Sequence, residues 1–452
     1  MAPHALDSEV PRLSNDDMRE AFAPEVAIIG AGLIGLATSV ALNRQNSAIK
    51  ITVYEQKANI SELGVGIGVG ANAVKAMGLI APEFREAYDH IVTLNAKDKI
   101  NTDFDIYCGD GEERGQFIGE KLAREGIPHG GATRTSLIDT LASLMPDSIK
   151  IVFNKEVTDV QQAPEGGNGR MTVSFTDGTQ IVADAVIGCD GIRSFCRRLI
   201  VGEDDPSASP RYTGRYCHRG VIPMDQAVKA VGPVAQTRRL ILGHDRHILM
   251  FPVKFGKGLN VAAFVSTGET SWSKDKWTAL ATKEDLLEAF KDFDDDSKRL
   301  LSLIETLNKW ALFEVAEAPT FVHDSGRFCI LGDAAHASTP HCGAGVGMGL
   351  EDAFIVSRLM RPELLQSATD IKHAFRAYDA VRRPRAQELV RRSRRQGSLF
   401  CLQIVGPHEM IDDMDANMSW VWDVDFDSML SSAKKAFMTF KSQDEGATSL
   451  KA

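Results

Sequence analysis

Apolar residues first appear as a short unbroken run, Val26-Ala27-Ile28-Ile29, which stops at Gly30 and resumes as Leu33 to Leu42. An unbroken run of that length predicts a buried strand, and its interruption by Gly30, Gly32 and Gly35 predicts a tight turn feeding a helix. A second run, Ile49 to Tyr54, ends at Glu55 and reads as the next strand. Apolar positions then recur at helical spacing from Arg134 to Leu144. Strands are predicted at Ile149–Phe153, Arg170–Phe175 and Gln180–Ile187, with Thr176-Asp177-Gly178-Thr179 as a hairpin turn. Residues 211–223, 237–253 and 259–266 read as strands of an antiparallel sheet, followed by helices at Lys283–Phe290 and Ser297–Asn308. Phe328 to Gly332 returns as a strand, a helix follows near Gly349–Leu359, and a long one runs from Ile371 to about Leu399. The stretch from Pro82 to Gly126 reads as mixed and irregular.

The implied class is α/β. A Rossmann-like nucleotide-binding domain is split over 24–80, 128–200 and 325–395, with a substrate domain of antiparallel sheet from 81–127 and 201–324 inserted between its strands. Residues 1–23 read as a disordered leader and 396–452 as a C-terminal helical segment.

Composition narrows this picture little. The chain has 452 residues, 44% apolar and 25% charged, as expected of a globular protein with a large core. A net charge of −10 argues against nucleic acid or an anionic membrane as partner. The one basic cluster, Arg382, Arg383, Arg385, Arg391, Arg392, Arg394 and Arg395, reads as a solvated helix face, with one or two arginines free to meet a phosphate. The seven cysteines show no CxxC pair and no zinc-ligand spacing, which fits a reducing, cytoplasmic setting. The first 24 residues carry no secretory h-region, and the Val26–Leu42 run is too short to span a bilayer.

Three segments carry candidate chemistry. In the first, Gly30 permits the turn, Gly32 lets backbone approach a pyrophosphate, Gly35 lets helix pack on strand, and Glu55 stands about 20 residues on, where a carboxylate holds a ribose. The second is Gly188-Cys189-Asp190-Gly191-Ile192-Arg193-Ser194, in which Asp190 can accept from a ribose hydroxyl or anchor its own turn; taken alone, the turn is favoured. The third, Gly332-Asp333-Ala334-Ala335-His336 through Pro340 to Gly343-Ala344-Gly345, delivers an acid to a sheet edge and opens a helix with a second glycine-rich turn. His336 and His341 have no third partner at metal-ligand spacing, so packed or hydrogen-bonded loop histidines are expected.

These segments in this order, with Arg134 between the first and second, resemble the single-component flavoprotein monooxygenases of the para-hydroxybenzoate hydroxylase class. Within it the chain is most similar to salicylate hydroxylase and the fungal polyketide phenol hydroxylases, over about Pro24 to Leu399. The resemblance implies non-covalent FAD, with NADPH or NADH and O2 as cosubstrates and no second Rossmann fold. It implies Gly30, Gly32 and Gly35 at the pyrophosphate, Glu55 on the adenosine ribose, Arg134 against FAD, and Asp190 near the pyrophosphate. Asp333 would bind the ribityl and pyrophosphate region, Pro340 would lie over the isoalloxazine, and Gly343, Ala344 and Gly345 would offer N–H groups to the pyrimidine edge. Arg219 would face a phenolate or carboxylate. Phe251 matches a pocket position that is Tyr in some dearomatising relatives, so its lack of a hydroxyl leans toward salicylate-type chemistry, with plain core packing an equal reading. The implied reaction is hydroxylation of a phenolic ring through a flavin C4a-hydroperoxide, with CO2 lost where the attacked carbon carries a carboxylate. The alternatives are hydroxylative dearomatisation, an FAD-dependent oxidase, or a flavin-binding protein without catalysis. The expected assembly is a monomer or homodimer.

Overall fold

The computed structural model describes residues 22–60, 66–127, 130–163, 169–272, 276–305 and 307–449; residues 1–21 of the expected leader lie outside them. A five-stranded parallel sheet runs in the order Phe328–Ile330, Ala185–Gly188, Glu25–Ile29, Lys50–Tyr54, Lys150–Val152. Its central strand is buried from Val26 to Ile29, which explains the unbroken apolar run: helices cover both faces of a parallel sheet, so no face is left for polar residues. Helices Leu33–Gln45, Arg134–Ser143 and Gly345–Leu359 belong to this layer.

An eight-stranded sheet forms the second layer. Its order is Thr278–Leu280, Asn308–Glu314, Arg211–Pro223, Gly258–Ser266, Arg246–Val253, Arg239–Gly243, Thr102–Cys108, Phe117–Leu122, antiparallel except where Arg239–Gly243 meets Thr102–Cys108. Successive side chains point to opposite faces. Ile248, Met250, Val261 and Ala263 pack in one apolar cluster with Leu286, Phe290 and Leu301, which come from helices Lys283–Ala289 and Asp295–Ser302 and the link between them. The alternate residues, His247, Leu249, Phe251, Ala262 and Phe264, face the other way, into a cavity. A small sheet of Thr93–Leu94, Gly130–Thr133 and Gly66–Val69 stands at the side of that cavity.

The structure corrects four expectations. Residues 237–253 form two strands, Arg239–Gly243 and Arg246–Val253, because Asp245 turns the chain with φ +58°. The helix expected over Ser297–Asn308 ends at Ser302, and Asn308 instead begins a strand paired with Arg211–Pro223. The Pro82–Gly126 stretch is ordered: Pro82 opens helix Pro82–Ile91, and two strands join the large sheet. The basic cluster is not simply a solvated face. Arg382 is 0% exposed and paired to Glu351 and Asp352, and Arg385 reaches Glu351 as well. The helix Ala368–Phe400 lies against the body of the protein and turns those arginines inward. Helices Glu409–Trp422 and Phe426–Ser449 follow it.

Candidate active site

The parallel sheet ends in a polar cleft of about 470 Å³. Gly30 holds φ +103°, and a Cβ there would sit 2.5 Å from the Cys189 carbonyl oxygen; one on Gly35 would sit 1.9 Å from the Gly30 carbonyl oxygen. Strand, turn and helix therefore touch backbone to backbone. A Cβ on Gly32 would meet no protein atom within 4 Å, so this residue fronts open space. Helix Leu33–Gln45 starts there with no side-chain cap and no acid in its first turn. Its free N–H groups and dipole favour an anion at that end.

Glu55 is tied to the same turn: one oxygen accepts from the Ala31 N–H at 2.8 Å and the other from the Lys57 N–H at 2.9 Å. A carboxylate has about four acceptor sites, so room remains for a hydroxyl. Asp190 accepts from Ser194 Oγ at 2.5 Å and the Cys196 N–H at 3.0 Å. It anchors its turn, the favoured sequence reading, and lines the cleft as well. Arg134 lines both the cleft and the cavity beyond.

The Gly332–His336 turn joins cleft to cavity. Gly332 adopts φ +63°. Its N–H donates to Asp352 Oδ2 at 3.0 Å, and His336 Nε2 lies 2.6 Å from the same oxygen. Arg382 reaches Asp352 Oδ1 at 2.8 Å and Glu351 Oε2 at 2.6 Å, and Asn72 donates to Glu351 at 3.0 Å. Burial pushes both carboxyls up, but Arg382, with His336 at Asp352 and Arg385 at Glu351, overcomes it and holds both below their ordinary range. This network escaped sequence reading. Its only signal was adjacent acids at the end of an apolar glycine-rich run. The network leaves Asp333 exposed to the cavity, near the start of helix Gly345–Leu359. One expectation narrows: the Gly343 N–H is committed to the Pro340 carbonyl at 2.9 Å, so the first-turn N–H groups of that helix, Gly345 among them, are what remains for a ligand.

The cavity itself, about 380 Å³, lies between the Pro340–Gly345 loop and the inner face of the large sheet. It gathers Arg134, Arg219, Phe251, Asp333, Pro340 and Gly343–Gly345, residues far apart in the chain. Arg219 donates to the Gly66 carbonyl at 3.2 Å, its Nε is buried without a partner, and no described carboxylate pairs with it. Phe251 is both wall and packing element: its ring faces the Arg238 guanidinium at 5.0 Å. Sequence reading missed Arg238 altogether. The histidine expectation holds with one side chain of each kind. His336 is hydrogen-bonded, but His341 is packed among His247, Phe264 and Phe400 with neither ring nitrogen bonded. Burial lowers His341 to about 3 and His247 well below its ordinary value. Both rings are neutral at pH 7, and the Arg215 guanidinium close to them helps to keep the proton off each.

The chain belongs to the FAD binding domain family, whose model matches residues 135–393, in its FAD-dependent monooxygenase branch. It is 37% identical to the FAD-dependent monooxygenase orf3 of Aspergillus niger over 91% of this chain and 96% of that one. It is 32% identical to the salicylate hydroxylase of Pseudomonas putida over 90% and 94%. Among solved structures, a salicylate hydroxylase substrate complex superposes with a TM-score of 0.80 at 29% identity, covering 91% of this chain and 98% of that one. The residues fit FAD: the glycine cradle opens where a pyrophosphate needs space, and an uncapped helix start faces it. No helix among the described residues is long and apolar enough to cross a membrane.

Proposed function

We propose that the chain hydroxylates a phenolic ring, salicylate-like or polyketide-derived, consuming NAD(P)H and O2. The balance is one phenol, one O2, one NAD(P)H and one proton giving the hydroxylated product, water and NAD(P)+. Bound FAD would supply hydride acceptance from NAD(P)H and the activation of O2. Gly30, Gly32 and Gly35 with Asp190 would hold its pyrophosphate, Glu55 its ribose, Arg134 and Asp333 its central part, and Ala344 and Gly345 its pyrimidine edge.

The observation that carries the reading is Arg219: a guanidinium with no described carboxylate partner, facing the same cavity as Pro340. Beside a phenol it favours the phenolate, which makes the ortho and para ring carbons more nucleophilic. The apolar wall of Leu249, Phe251, Ala262 and Phe264 would exclude water that wastes the activated oxygen. Where the attacked carbon bears a carboxylate, CO2 leaves and a catechol forms. Relatives named salicylate hydroxylase and 6-methylsalicylate 1-monooxygenase, 32% and 31% identical, support an ortho-hydroxybenzoate class. Phe251 offers no hydroxyl to a substrate oxygen, which favours this over dearomatisation.

NAD(P)H oxidation and O2 uptake with salicylates, orsellinate-type acids and resorcylaldehydes test the reading. Substrate-stimulated turnover with matching hydroxylated product is expected. O2 consumption that needs no NAD(P)H, yielding only hydrogen peroxide, would mark an oxidase. Acid precipitation should release the yellow colour, since FAD is held without a covalent link.

A further inference from the structure

Arg238 lies just before the strand Arg239–Gly243 and is 4% exposed. Its guanidinium lies over two aromatic rings, 4.6 Å from the Phe104 centroid and 5.0 Å from the Phe251 centroid. Asp103 Oδ1 lies 3.3 Å from its Nε, an ion pair in which Nε itself has no hydrogen bond. Nη1 is likewise buried without a hydrogen-bond partner, and the side chain lines the same cavity as Arg219. A buried N–H left unpaired is costly. Stacking on two rings attracts the cation but satisfies none of its N–H groups.

The strand Gly66–Val69 relates the two arginines. Arg219 donates to the carbonyl of Gly66, and Arg238 Nη2 lies against Gly68, 2.9 Å from where a Cβ would be. Residues two apart on a strand are separated by roughly 6.6 Å along it. The two cations thus approach the cavity beside strand positions two residues apart. A side chain at Gly68 would displace Arg238, so the glycine is what lets the guanidinium reach the cavity.

We propose that Arg238 is a specificity-determining residue that takes a second acceptor of the substrate, a ring carbonyl or carboxylate at the end of the ring remote from the oxygen held by Arg219. This rests on the phenol-hydroxylase reading and deepens it: the favoured substrates are ortho-hydroxybenzoates and the matching benzaldehydes or aryl ketones that carry a further hydroxyl across the ring from the carbonyl group, rather than simple phenols. The planar fork suits such an acceptor, and the Phe104 and Phe251 rings hold the cation beside the cavity.

The test uses the FAD holoenzyme and equilibrium binding read from the perturbation of the flavin absorbance. The probes are 2,4-dihydroxybenzaldehyde, resorcinol, which lacks only the formyl group, and salicylate, whose two groups are adjacent. The wild-type protein is expected to bind the aldehyde about tenfold to a hundredfold more tightly than resorcinol, the range of one charge-assisted hydrogen bond. Arg238→Met should erase that preference and leave resorcinol and FAD affinity within about twofold, as no new bond is asked of them. Arg238→Lys keeps the charge beside Asp103 if Arg238→Met folds poorly, and should keep only part of the preference. A preference that survives in both variants, or equal weakening of all three probes, overturns the assignment. Wild-type binding of the aldehyde and resorcinol with equal affinity overturns it while leaving the phenol-hydroxylase reading intact. Binding of no probe overturns both.

Discussion

The polar cleft and the apolar cavity meet at one turn but are built in opposite ways. The cleft is a backbone construction: Gly30, Gly32, Gly35 and the start of helix Leu33–Gln45 are contiguous, and their role depends on side chains being absent. The cavity is a side-chain construction, assembled from alternate residues of several strands and closed by the Pro340 loop. A cleft of the first kind tolerates almost no added atom where chain touches chain. A cavity of the second kind can exchange its lining and change its ligand. This is how a family can keep one cofactor while varying the substrate.

The largest expected effect strikes the joint between the two regions. Arg382→Met removes the cation that Glu351 and Asp352 share, leaving Arg385 at Glu351 and His336 at Asp352, and removing one partner of such a network destabilises by about 3–5 kcal/mol. Denaturant titration should show that loss together with poor FAD retention, and a stable FAD-replete variant would reduce the network to surface-like importance.

The cleft can be split into its two uses of glycine. Gly35→Ala puts a Cβ 1.9 Å from the Gly30 carbonyl and should destabilise the protein by about 1–3 kcal/mol or more. Gly32→Ala meets no protein atom and has φ −74°, so thermal stability of the apoprotein should be unchanged while FAD affinity drops by roughly tenfold or more. If Gly32→Ala keeps FAD affinity, the pyrophosphate is not where the cradle points.

In the cavity, Arg219→Ala should keep FAD but lose about tenfold to a hundredfold in kcat/KM for the hydroxylation, with Arg219→Lys recovering part. Unchanged kcat/KM in a well-folded Arg219→Ala would remove the anion role. Asp333→Ala should retain the fold, because its carboxylate is exposed to the cavity, and lower FAD occupancy measured by the ratio of flavin to protein absorbance.

The smallest effect is one of pH. Burial lowers His341 to about 3 from an ordinary 6.5. Between those values the unfolded chain binds a proton that the native ring refuses, so stability falls as pH drops below about 6.5 and continues to fall toward 3. Tm measured from pH 7 to pH 4 should decline less steeply in His341→Gln than in the parent. An identical slope would mean that the ring is protonated in the native state after all.

Sequence reading found the cleft well and the cavity only in outline. Gly30 and Glu55 belong to one strand–turn–helix–strand run, so spacing alone exposed them, whereas spacing favoured Asp190 as a turn anchor and its place near a pyrophosphate came through the resemblance. Arg219 was reached through a resemblance, and Arg238 not at all, since nothing about Thr237-Arg238-Arg239 distinguishes a cavity cation from a surface one. The arginines after Arg382 taught the same lesson in reverse. Helical periodicity showed a charged stripe, but not that Glu351 and Asp352, on a neighbouring helix, would draw part of that stripe inward.

By itself, then, the chain determined the strand–glycine–helix unit, the strands of the antiparallel sheet and the buried run that forms the central strand of the parallel sheet, because each depends on the local geometry of consecutive residues. Only the tertiary structure decided that Arg219, Arg238, Phe251 and Pro340 share one cavity, that Arg382 is buried and that His341 is neutral. Charge state and ligand access depend on which distant groups exclude water from a site, and burial is a property of the packed whole.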